Sequence, residues 1–376
     1  MLRKDVFGLI YAAEDNINLR ELTARRSVGA LPLGGRYRVI DFILSNMVNS
    51  GIRNIGVLPR RNYQSMMDHL GSGKEWSLNR KSDGLFILPP FDNVEDNGNY
   101  KGTLDVIKGA GSYLRRAPQQ YCLLSGSFTV YNTDFSGMFD FHLKSGADIT
   151  ILYNVEQEKN HREKLFQDLR LDVREDGLVC DMAFKQEHTG LCNVGMDTYL
   201  IRKDLLLYLI DSSVSRQRHK FVQDVLLNNE HNLKIYGYRH DGYVGRLHSA
   251  ASYLQLNMDF LDEKIQKGLF YTGNPVFTKI KDEAPAKYGA YAEVKNSLVA
   301  SGCVINGTVE NSVLFRGVRV GRDVNVKNCV VMQDSVIYED SDIEWVIIDK
   351  RVSVGPHTNL KGSRQYPVVI PKGETV

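Results

Sequence analysis

A short motif that recurs near the carboxyl terminus constrains the fold of this chain more than any other feature. Residues 296–299 (NSLV) recur as 311–314 (NSVL) and 328–331 (NCVV), and 345–348 (WVII) form a looser copy, at offsets of 15, 17 and 17 residues. Short β-rich runs at this period, separated by Gly, Asn and Asp turns, are typical of a parallel β-solenoid with three strands in each turn. An antiparallel sandwich is the alternative, and the recurring Asn-Ser/Cys-Val motif favours the solenoid. Because the ends and flanks of a solenoid need a cover, we expect oligomerisation through this region.

The preceding part of the chain has a different pattern, in which strand-like and helix-like runs alternate. Strand-like runs lie at 6–12, 52–58, 121–124 and 147–155, and helical spacing predicts helices over 38–48 and 135–144. Such alternation predicts a mostly parallel sheet with helices on both faces. Ligands of such sheets bind beyond the carboxyl ends of the strands, so we expect the functional residues in the loops after Ile10, Leu58 and Leu124.

The length of 376 residues is sufficient for two domains. We predict a first domain over 1–270 and a solenoid domain over 291–376. The segment 271–290 between them carries Pro275, Pro285 and a charged stretch, and is predicted to be a linker.

Composition excludes several functional classes. The 47 Lys and Arg residues nearly balance the 45 Asp and Glu residues, which argues against a partner such as nucleic acid. No apolar run approaches the roughly 18 residues of a membrane span, and no secretory signal is visible, so we expect a cytoplasmic protein without a membrane partner. The five cysteines include no C-x-x-C pair, which favours buried thiols over a disulfide framework or a zinc site.

Several blocks in the first 260 residues resemble bacterial glucose-1-phosphate adenylyltransferases in order and spacing. These blocks are 33–42 (LGGRYRVIDF), 44–46 (LSN), 49–52 (NSGI), 68–71 (DHLG), 88–90 (LPP), 100–103 (YKGT) and 123–126 (LLSG). Enzymes of this family make ADP-glucose and pyrophosphate from ATP and glucose 1-phosphate. The resemblance implies an α/β fold, with a Rossmann-like nucleotidyltransferase domain followed by a left-handed parallel β-helix, which agrees with the carboxyl-terminal repeat.

The chain departs from the family at the glycine-rich loop G-G-x-G-x-R-L that follows the first strand. Residues 13–19 (AEDNINL) take its place, and Asn18 stands where the family has an arginine. Glycines in such loops let backbone N–H groups approach phosphates, and the arginine supplies positive charge. Glu14 and Asp15 instead add negative charge beside the expected triphosphate.

Three further positions differ from the family's pattern. Ser127 replaces the metal aspartate of the family's Ser-Gly-Asp block, Arg246 replaces the second metal aspartate, and Val28 replaces a lysine that contacts the phosphates. Nucleotidyl transfer depends on positioning and charge neutralisation. We therefore expect little or no activity from this chain alone, with no catalytic residues, metal or cofactor of its own.

Intact fold blocks beside altered chemistry resemble the regulatory, GlgD-type subunit of this family. The resemblance implies a catalytic GlgC-type partner that holds Mg²⁺, a heterotetramer with that partner, and a homo-oligomer when the chain is alone. Two alternatives stay open: an active sugar nucleotidyltransferase that uses Asp15 or Asp241 as displaced metal ligands, and a stand-alone sensor of phosphorylated metabolites.

Three positions match family blocks near the sugar phosphate. Lys185 stands where a family lysine contacts glucose 1-phosphate, and Gly195 lies in a block similar to the family's Ser-Met-Gly-Ile. Asp224 lies in a block similar to His-Asp-Phe-Gly-x-Asp-Ile, and its alternative role is to cap a helix. All three are predicted to retain contact with a sugar phosphate.

Four arginines are candidates for an allosteric anion site, namely Arg25, Arg26, Arg36 and Arg38. Arg25 and Arg26 fall where the family has basic residues near its effector site. Such a cluster is suited to a phosphorylated metabolite such as fructose 1,6-bisphosphate, or to phosphate itself. The alternative is a solvated basic face with interdomain salt bridges.

Overall fold

The computed structural model describes residues 2–11, 19–59, 62–89, 101–157, 168–184, 190–229 and 232–376. By their internal contacts the described residues form two units. The first unit takes residues up to 11, those between 42 and 244, and 274–276; the second takes 19–41, 245–273 and 277–376. The second unit therefore includes two segments that precede the predicted linker, and no local sequence pattern indicates this grouping.

The helices are short, and none in the described part of the chain is long and apolar enough to cross a membrane. They are α1 (Leu2–Asp5), α2 (Val39–Asn49), α3 (Gln64–Leu70), α4 (Thr103–Gly109), α5 (Gly111–Arg116), α6 (Ser136–Ser145), α7 (Lys203–Val214), α8 (Ala250–Asp259) and α9 (Glu263–Phe270). Single turns of 3₁₀ helix occupy Arg20–Thr23, Val28–Ala30, Lys74–Trp76 and Leu227–Asn229, and a π-helix occupies Phe221–Leu226.

The strands before residue 250 are β1 (Val6–Tyr11), β2 (Pro32–Leu33), β3 (Tyr37–Arg38), β4 (Asn54–Leu58), β5 (Gly84–Ile87), β6 (Tyr121–Gly126), β7 (Thr129–Val130), β8 (Ile149–Gln157), β9 (Leu169–Val173), β10 (Val179–Phe184), β11 (Leu191–Arg202), β12 (Ile235–His240) and β13 (Gly245–Arg246). The later ones are β14 (Lys287–Tyr288), β15 (Glu293–Lys295), β16 (Leu298–Val299), β17 (Val304–Ile305), β18 (Thr308–Glu310), β19 (Val313–Leu314), β20 (Arg319–Val320), β21 (Asn325–Lys327), β22 (Val330–Val331), β23 (Val336–Ile337), β24 (Asp342–Glu344), β25 (Val346–Ile348), β26 (Ser353–Val354), β27 (Asn359–Lys361) and β28 (Val368–Ile370).

The first unit is built on one mixed sheet, which has nine strands within the described residues. Its main path runs β10-β9-β11-β6-β1-β4-β5, and β8 pairs with both β11 and β12. Strand β1 is parallel to β4 and β6, whereas β11 is antiparallel to β6, β8 and β9. The nucleotidyltransferase-like α/β fold is confirmed, but the sheet is mixed rather than mostly parallel. The long strand β11 causes this difference, because its direction depends on partners that are distant in sequence.

Burial explains why β1 could be predicted from the sequence. All six of its residues are buried, as expected for a central strand covered on both faces. On one face lie α4, α5 and α7, whose apolar side chains join those of the sheet in one core cluster that includes Leu104, Leu114 and Leu206. A polar contact also joins α5 to the start of β4, where the Tyr113 hydroxyl donates to Asn54 Oδ1 at 2.8 Å.

The order of the strands determines where a ligand crevice forms in the first unit. From β1 the chain goes to β4 and β5 on one side of the sheet, and later returns to β6 on the other side of β1. Such a reversal opens a crevice at the carboxyl ends of the two strands that flank it. Here those ends are Tyr11 and Gly126, which are paired in register.

The second unit contains the solenoid. In the continuously described range 232–376, three parallel sheets of five strands each form a β-helix. The repeated motif lies on one of them, where Val313 pairs with Leu298 on one side and Val330 on the other, and Val330 pairs with Ile347. Aliphatic residues from successive turns fill the interior. The β-solenoid prediction is confirmed, and the antiparallel sandwich is wrong.

The asparagines of the motif stand at corners of the β-helix. Asn296, Asn311 and Asn328 have φ angles of 42°, 45° and 54°, in the left-handed region. Asparagine tolerates this conformation better than most residues because its short polar side chain can hydrogen-bond locally. Trp345 takes the equivalent corner of the next turn with a φ of 55°. The fourth copy was looser in sequence because it has tryptophan at this corner.

Candidate functional site

Ser127 directly follows β6 at the crevice predicted by the strand order. The residue is fully buried. Within the described part of the chain its Oγ has no hydrogen-bond partner. The end of this strand therefore presents a small neutral hydroxyl.

A carboxylate that the sequence analysis did not single out lies at the same strand ends. Asp197 belongs to β11, whose next residue, Thr198, pairs with Ser125 of β6. The Tyr11 hydroxyl donates to Asp197 Oδ1, and the Tyr199 hydroxyl donates to the same oxygen at 3.1 Å. Two buried phenols thus hold one carboxylate beside the ends of β1 and β6.

The backbone at Asp197 explains how this carboxylate reaches the strand ends. The pairing of β11 with β8 is irregular between Gly195 and Tyr199, and Asp197 has a φ of 52°. Aspartate is one of the few non-glycine residues that adopt this conformation as single residues. Gly126 leaves the necessary room, because a Cβ at that position would overlap the Asp197 carboxylate and the Phe128 ring.

The two phenols remain protonated at neutral pH. Burial raises the pKa of Tyr11 well above its usual value, and the Asp197 charge raises it further. Burial and Asp197 raise the pKa of Tyr199 in the same way. Protonated phenols can only donate to an ionised carboxylate, so the cluster has one acceptor and two donors with matched roles.

A second polar cluster lies in the second unit and includes one of the predicted anion-binding arginines. Arg26 is buried and its guanidinium pairs with both carboxylate oxygens of Asp349, at 2.7 Å to Oδ1. Arg25 is exposed. Arg36 is also exposed and lies over the Tyr37 ring, 5.5 Å from its centroid. The four arginines are therefore not equivalent.

Lys350 lies beside the Arg26–Asp349 pair. Burial, together with the charges of Arg38, Arg26 and Lys372, lowers the pKa of Lys350 to about 7, against the opposing effect of Asp349. Basic side chains from the segment before α2 thus meet basic side chains from the end of the β-helix. The sequence analysis missed Lys350 and Lys372 because more than 300 residues separate them from the arginines.

Comparisons with known proteins agree with both units. Residues 10–234 match the nucleotidyl transferase family, and residues 283–363 match the GlmU-like, C-terminal hexapeptide family. The chain is 36% identical to glycogen biosynthesis protein GlgD of Bacillus subtilis (strain 168) over 376 residues, which cover 99% of this chain and 97% of that protein. It is 32% identical to glucose-1-phosphate adenylyltransferase of Acetivibrio thermocellus over 378 residues, covering 98% and 86%.

The chain belongs to the glucose-1-phosphate adenylyltransferase family. A protein named GlgD from Geobacillus stearothermophilus is also 36% identical, over 372 residues that cover 99% of this chain and 97% of that relative. The membership inferred from the sequence blocks is therefore confirmed across nearly the whole chain.

The positions at which the chain departs from the family lie in both units. Ser127 is in the first unit, while Val28 and Arg246 are in the second. Val28 is buried in a 3₁₀ turn, and Arg246 is half-buried in β13. Asn18 lies outside the described residues, as do Glu14 and Asp15. The loss of family chemistry at these positions stays a prediction.

The candidates for contact with a sugar phosphate have different surroundings. At Gly195 a Cβ would meet Leu169 at an ordinary 3.5 Å, so packing does not demand glycine there. Asp224 Oδ2 accepts hydrogen bonds from the backbone N–H groups of His219 and Lys220, at 2.7 and 2.8 Å. These bonds tie Asp224, which lies inside the π-helix, to the backbone just before that helix. Lys185 lies outside the described residues.

The alternative hypothesis names Asp15 and Asp241 as displaced metal ligands, and of these two the structure describes Asp241. Asp241 is exposed, and its Oδ1 lies 2.6 Å from Arg239 Nε. Among the described residues, no three His, Cys, Asp or Glu side chains are grouped so that they could hold a metal ion. Asp197 instead accepts hydrogen bonds from the hydroxyls of Tyr11 and Tyr199.

Proposed function

We propose that this chain is a regulatory, catalytically impaired subunit of a heteromeric glucose-1-phosphate adenylyltransferase. It binds a catalytic partner and raises the rate at which that partner makes ADP-glucose from ATP and glucose 1-phosphate. The observation that carries the proposal is Ser127, a fully buried neutral side chain at the strand end where the family has a metal aspartate. Mg²⁺ belongs to the partner in this proposal.

The size of the expected defect follows from the chemistry. Removing one preorganised electrostatic group from an active site typically lowers kcat by about 10²–10³-fold. Here Ser127, Arg246, Val28 and Asn18 together replace two carboxylates and two cations. The decreases in kcat caused by the four replacements need not multiply. The largest single decrease is already enough to leave little turnover.

The relatives support the biological setting. Two relatives that match almost end to end are named glycogen biosynthesis proteins, while others are named glucose-1-phosphate adenylyltransferases. We therefore place this chain in cytoplasmic glycogen synthesis, in a heterotetramer with a catalytic subunit. The β-helix supplies an extended surface for such an assembly.

An effector anion is part of the proposal. Lys350 lies close enough to Arg38 and Lys372 for their charges to repel its own. Arg25 and Arg36 of the same segment are exposed. Repulsion of this kind is relieved when an anion binds between the cations. A phosphorylated metabolite or phosphate is the ligand class that fits. Arg26 is assigned to hold Asp349 rather than the anion.

The decisive experiment compares three preparations: this chain, a catalytic homologue from the same cell with an intact Ser-Gly-Asp block, and their mixture. Pyrophosphate release is measured with ATP, Mg²⁺ and glucose 1-phosphate, and complex formation by size-exclusion chromatography. We expect the chain alone to turn over far below the roughly 10 s⁻¹ typical of enzymes, and the mixture to exceed the homologue alone.

A matched control assigns the activity of the mixture to one subunit. The catalytic homologue is inactivated by changing the aspartate of its Ser-Gly-Asp block to asparagine, and the mixture is assayed again. Activity should disappear while the complex still forms. Turnover that persists would identify this chain as the catalyst and support the active-enzyme alternative, and failure to form a complex would favour the stand-alone sensor.

A further inference from the structure

The crevice between β1 and β6 is the place where a nucleotide would bind in a sheet of this order. Tyr11 and Gly126, the last residues of these strands, are paired in register and so mark the mouth of the crevice. The Asp197 carboxylate lies next to both of these residues. It accepts a hydrogen bond from the Tyr11 hydroxyl, and it fills the space into which a side chain at Gly126 would project.

We propose that Asp197 is a specificity-determining residue that excludes nucleoside triphosphates from this crevice. The inference deepens the proposed function and rests on it, since it adds an obstacle to the loss of catalytic groups. The chain would thus carry a negative charge where its family accepts a polyphosphate.

The position of the carboxylate is fixed on three sides. Tyr11 and Tyr199 donate to the same oxygen, so neither phenol is available to a phosphate. Gly126 fits against the other carboxylate oxygen. The backbone at Asp197 lies in the left-handed region, which sets the direction in which its side chain leaves the strand. A carboxylate held in this way does not move aside at low cost.

Steric and electrostatic effects act in the same direction. A glycine at a strand end ordinarily lets phosphate oxygens approach the backbone closely. At Gly126 that space contains Asp197. Like charges at a few ångströms repel strongly where burial limits screening by water. A ligand without phosphates, such as adenosine, lacks the charge that Asp197 repels.

Binding of ATP to the isolated chain tests the inference. The variant Asp197→Asn keeps the size of the side chain and tolerates a positive φ, but removes the charge. We expect Asp197→Asn to bind ATP at least about tenfold more tightly than the natural chain, and adenosine with unchanged affinity, by isothermal titration calorimetry with and without Mg²⁺. Asp197→Glu, which keeps the charge, should bind ATP no better than the natural chain.

Two further variants keep the test decisive. Asp323→Asn makes the same chemical change at an exposed position with a φ of 54°, and should leave ATP affinity unchanged. Asp197→Gly accepts the positive φ without strain and replaces Asp197→Asn if the latter does not fold, as judged by circular dichroism and thermal melting.

Several results would overturn the inference: equal ATP affinity in the natural chain and the charge-removed variants, an equal gain in Asp323→Asn, or an equal gain for adenosine. These outcomes are separable from those of the proposed function, which is measured as activation of the catalytic partner. A natural chain that binds ATP tightly and still activates its partner contradicts only the role of Asp197. A chain that does not activate, but whose Asp197→Asn variant gains ATP affinity, contradicts only the regulatory role.

Discussion

Arg26 and Asp349 form a buried ion pair, in which one guanidinium nitrogen contacts both carboxylate oxygens, and it ties the segment before α2 to the last turns of the β-helix. Their side chains are only 4% and 1% exposed. In such a place each charge depends on the other, because neither can be solvated by water. The pair belongs to the second unit, and its partners are 323 residues apart in sequence.

Removing one member of this pair is expected to destabilise the second unit strongly. Asp349→Ala leaves a buried guanidinium without its partner, which typically costs about 3–5 kcal/mol of unfolding free energy. Urea denaturation measures the loss. Asp176→Ala breaks the exposed pair with Arg174 and serves as the control, which should show little change. Equal effects of the two variants would show that Asp349 is not energetically special.

The pH dependence of stability is expected to carry the signature of Lys350. Burial lowers its pKa from 10.5 to about 7 in the folded chain, so between these values the unfolded chain binds a proton that the folded chain does not. The free energy of unfolding therefore rises with pH across this window, and below about pH 7 the full penalty is present.

Urea titrations at pH 6 to 10 on the natural chain and on Lys350→Met measure this contribution by difference. The variant should be more stable than the natural chain at pH 6, with the gap narrowing as pH rises. Lys295→Met, at an exposed lysine paired with Glu293, should leave the profile unchanged. A constant gap across the range would contradict the lowered pKa.

Phosphate or fructose 1,6-bisphosphate is expected to bind the basic cluster of the second unit. Arg38→Ala, which removes a cation that acts on Lys350, should weaken binding about tenfold or more, since a charge-assisted hydrogen bond contributes about 1.5–3 kcal/mol. Isothermal titration calorimetry at pH 7.5 gives the affinity. Arg322→Ala, at an exposed turn of the β-helix, is the control and should bind like the natural chain. If neither variant loses affinity for the anion, or if both lose it equally, the predicted arginines are not part of the effector site.

Proton uptake provides a second measurement at the same cluster. An anion beside Lys350 favours its charged form, so binding near pH 7.5 should take up a fraction of a proton, seen by calorimetry in buffers of different ionisation enthalpy. Lys350→Met should abolish this uptake. Uptake that survives the substitution would belong to another group.

Packing at Gly126 is expected to be intolerant of even one methyl group. Gly126→Ala would overlap the Asp197 carboxylate and the Phe128 ring, and overpacking of this kind costs about 1–3 kcal/mol. Gly268→Ala in α9 meets nothing within 4 Å, and should be neutral or stabilise by up to about 1 kcal/mol. Thermal melting distinguishes them. The double variant Gly126→Ala, Asp197→Gly should recover part of the loss, and no recovery would show that Asp197 is not the obstacle.

Local sequence patterns predicted the helices and strands whose apolar residues follow a regular spacing or form a continuous run. The runs at 6–12 and 38–48 became β1 and α2 with boundaries shifted by at most one residue at each end. A strand buried on both faces is a continuous apolar run, and the apolar residues of α2 keep helical spacing. The mixed character of the sheet was not predicted. The apolar pattern of a strand does not show whether the strand runs parallel or antiparallel to its neighbours. That depends on which strands it pairs with in the folded chain.

The β-helix and the family could both be predicted from the sequence. A repeat of 15 to 17 residues sets each strand beside its copy one turn later, and ordered blocks can be matched residue by residue. Long-range packing places Asp197 between Tyr11 and Gly126, and brings Arg26 to Lys350. In sequence these are an ordinary aspartate in a strand and a lysine at the end of a repeat. Their surroundings include residues far away in sequence, Tyr11 for Asp197 and Arg26 for Lys350, which no local pattern contains.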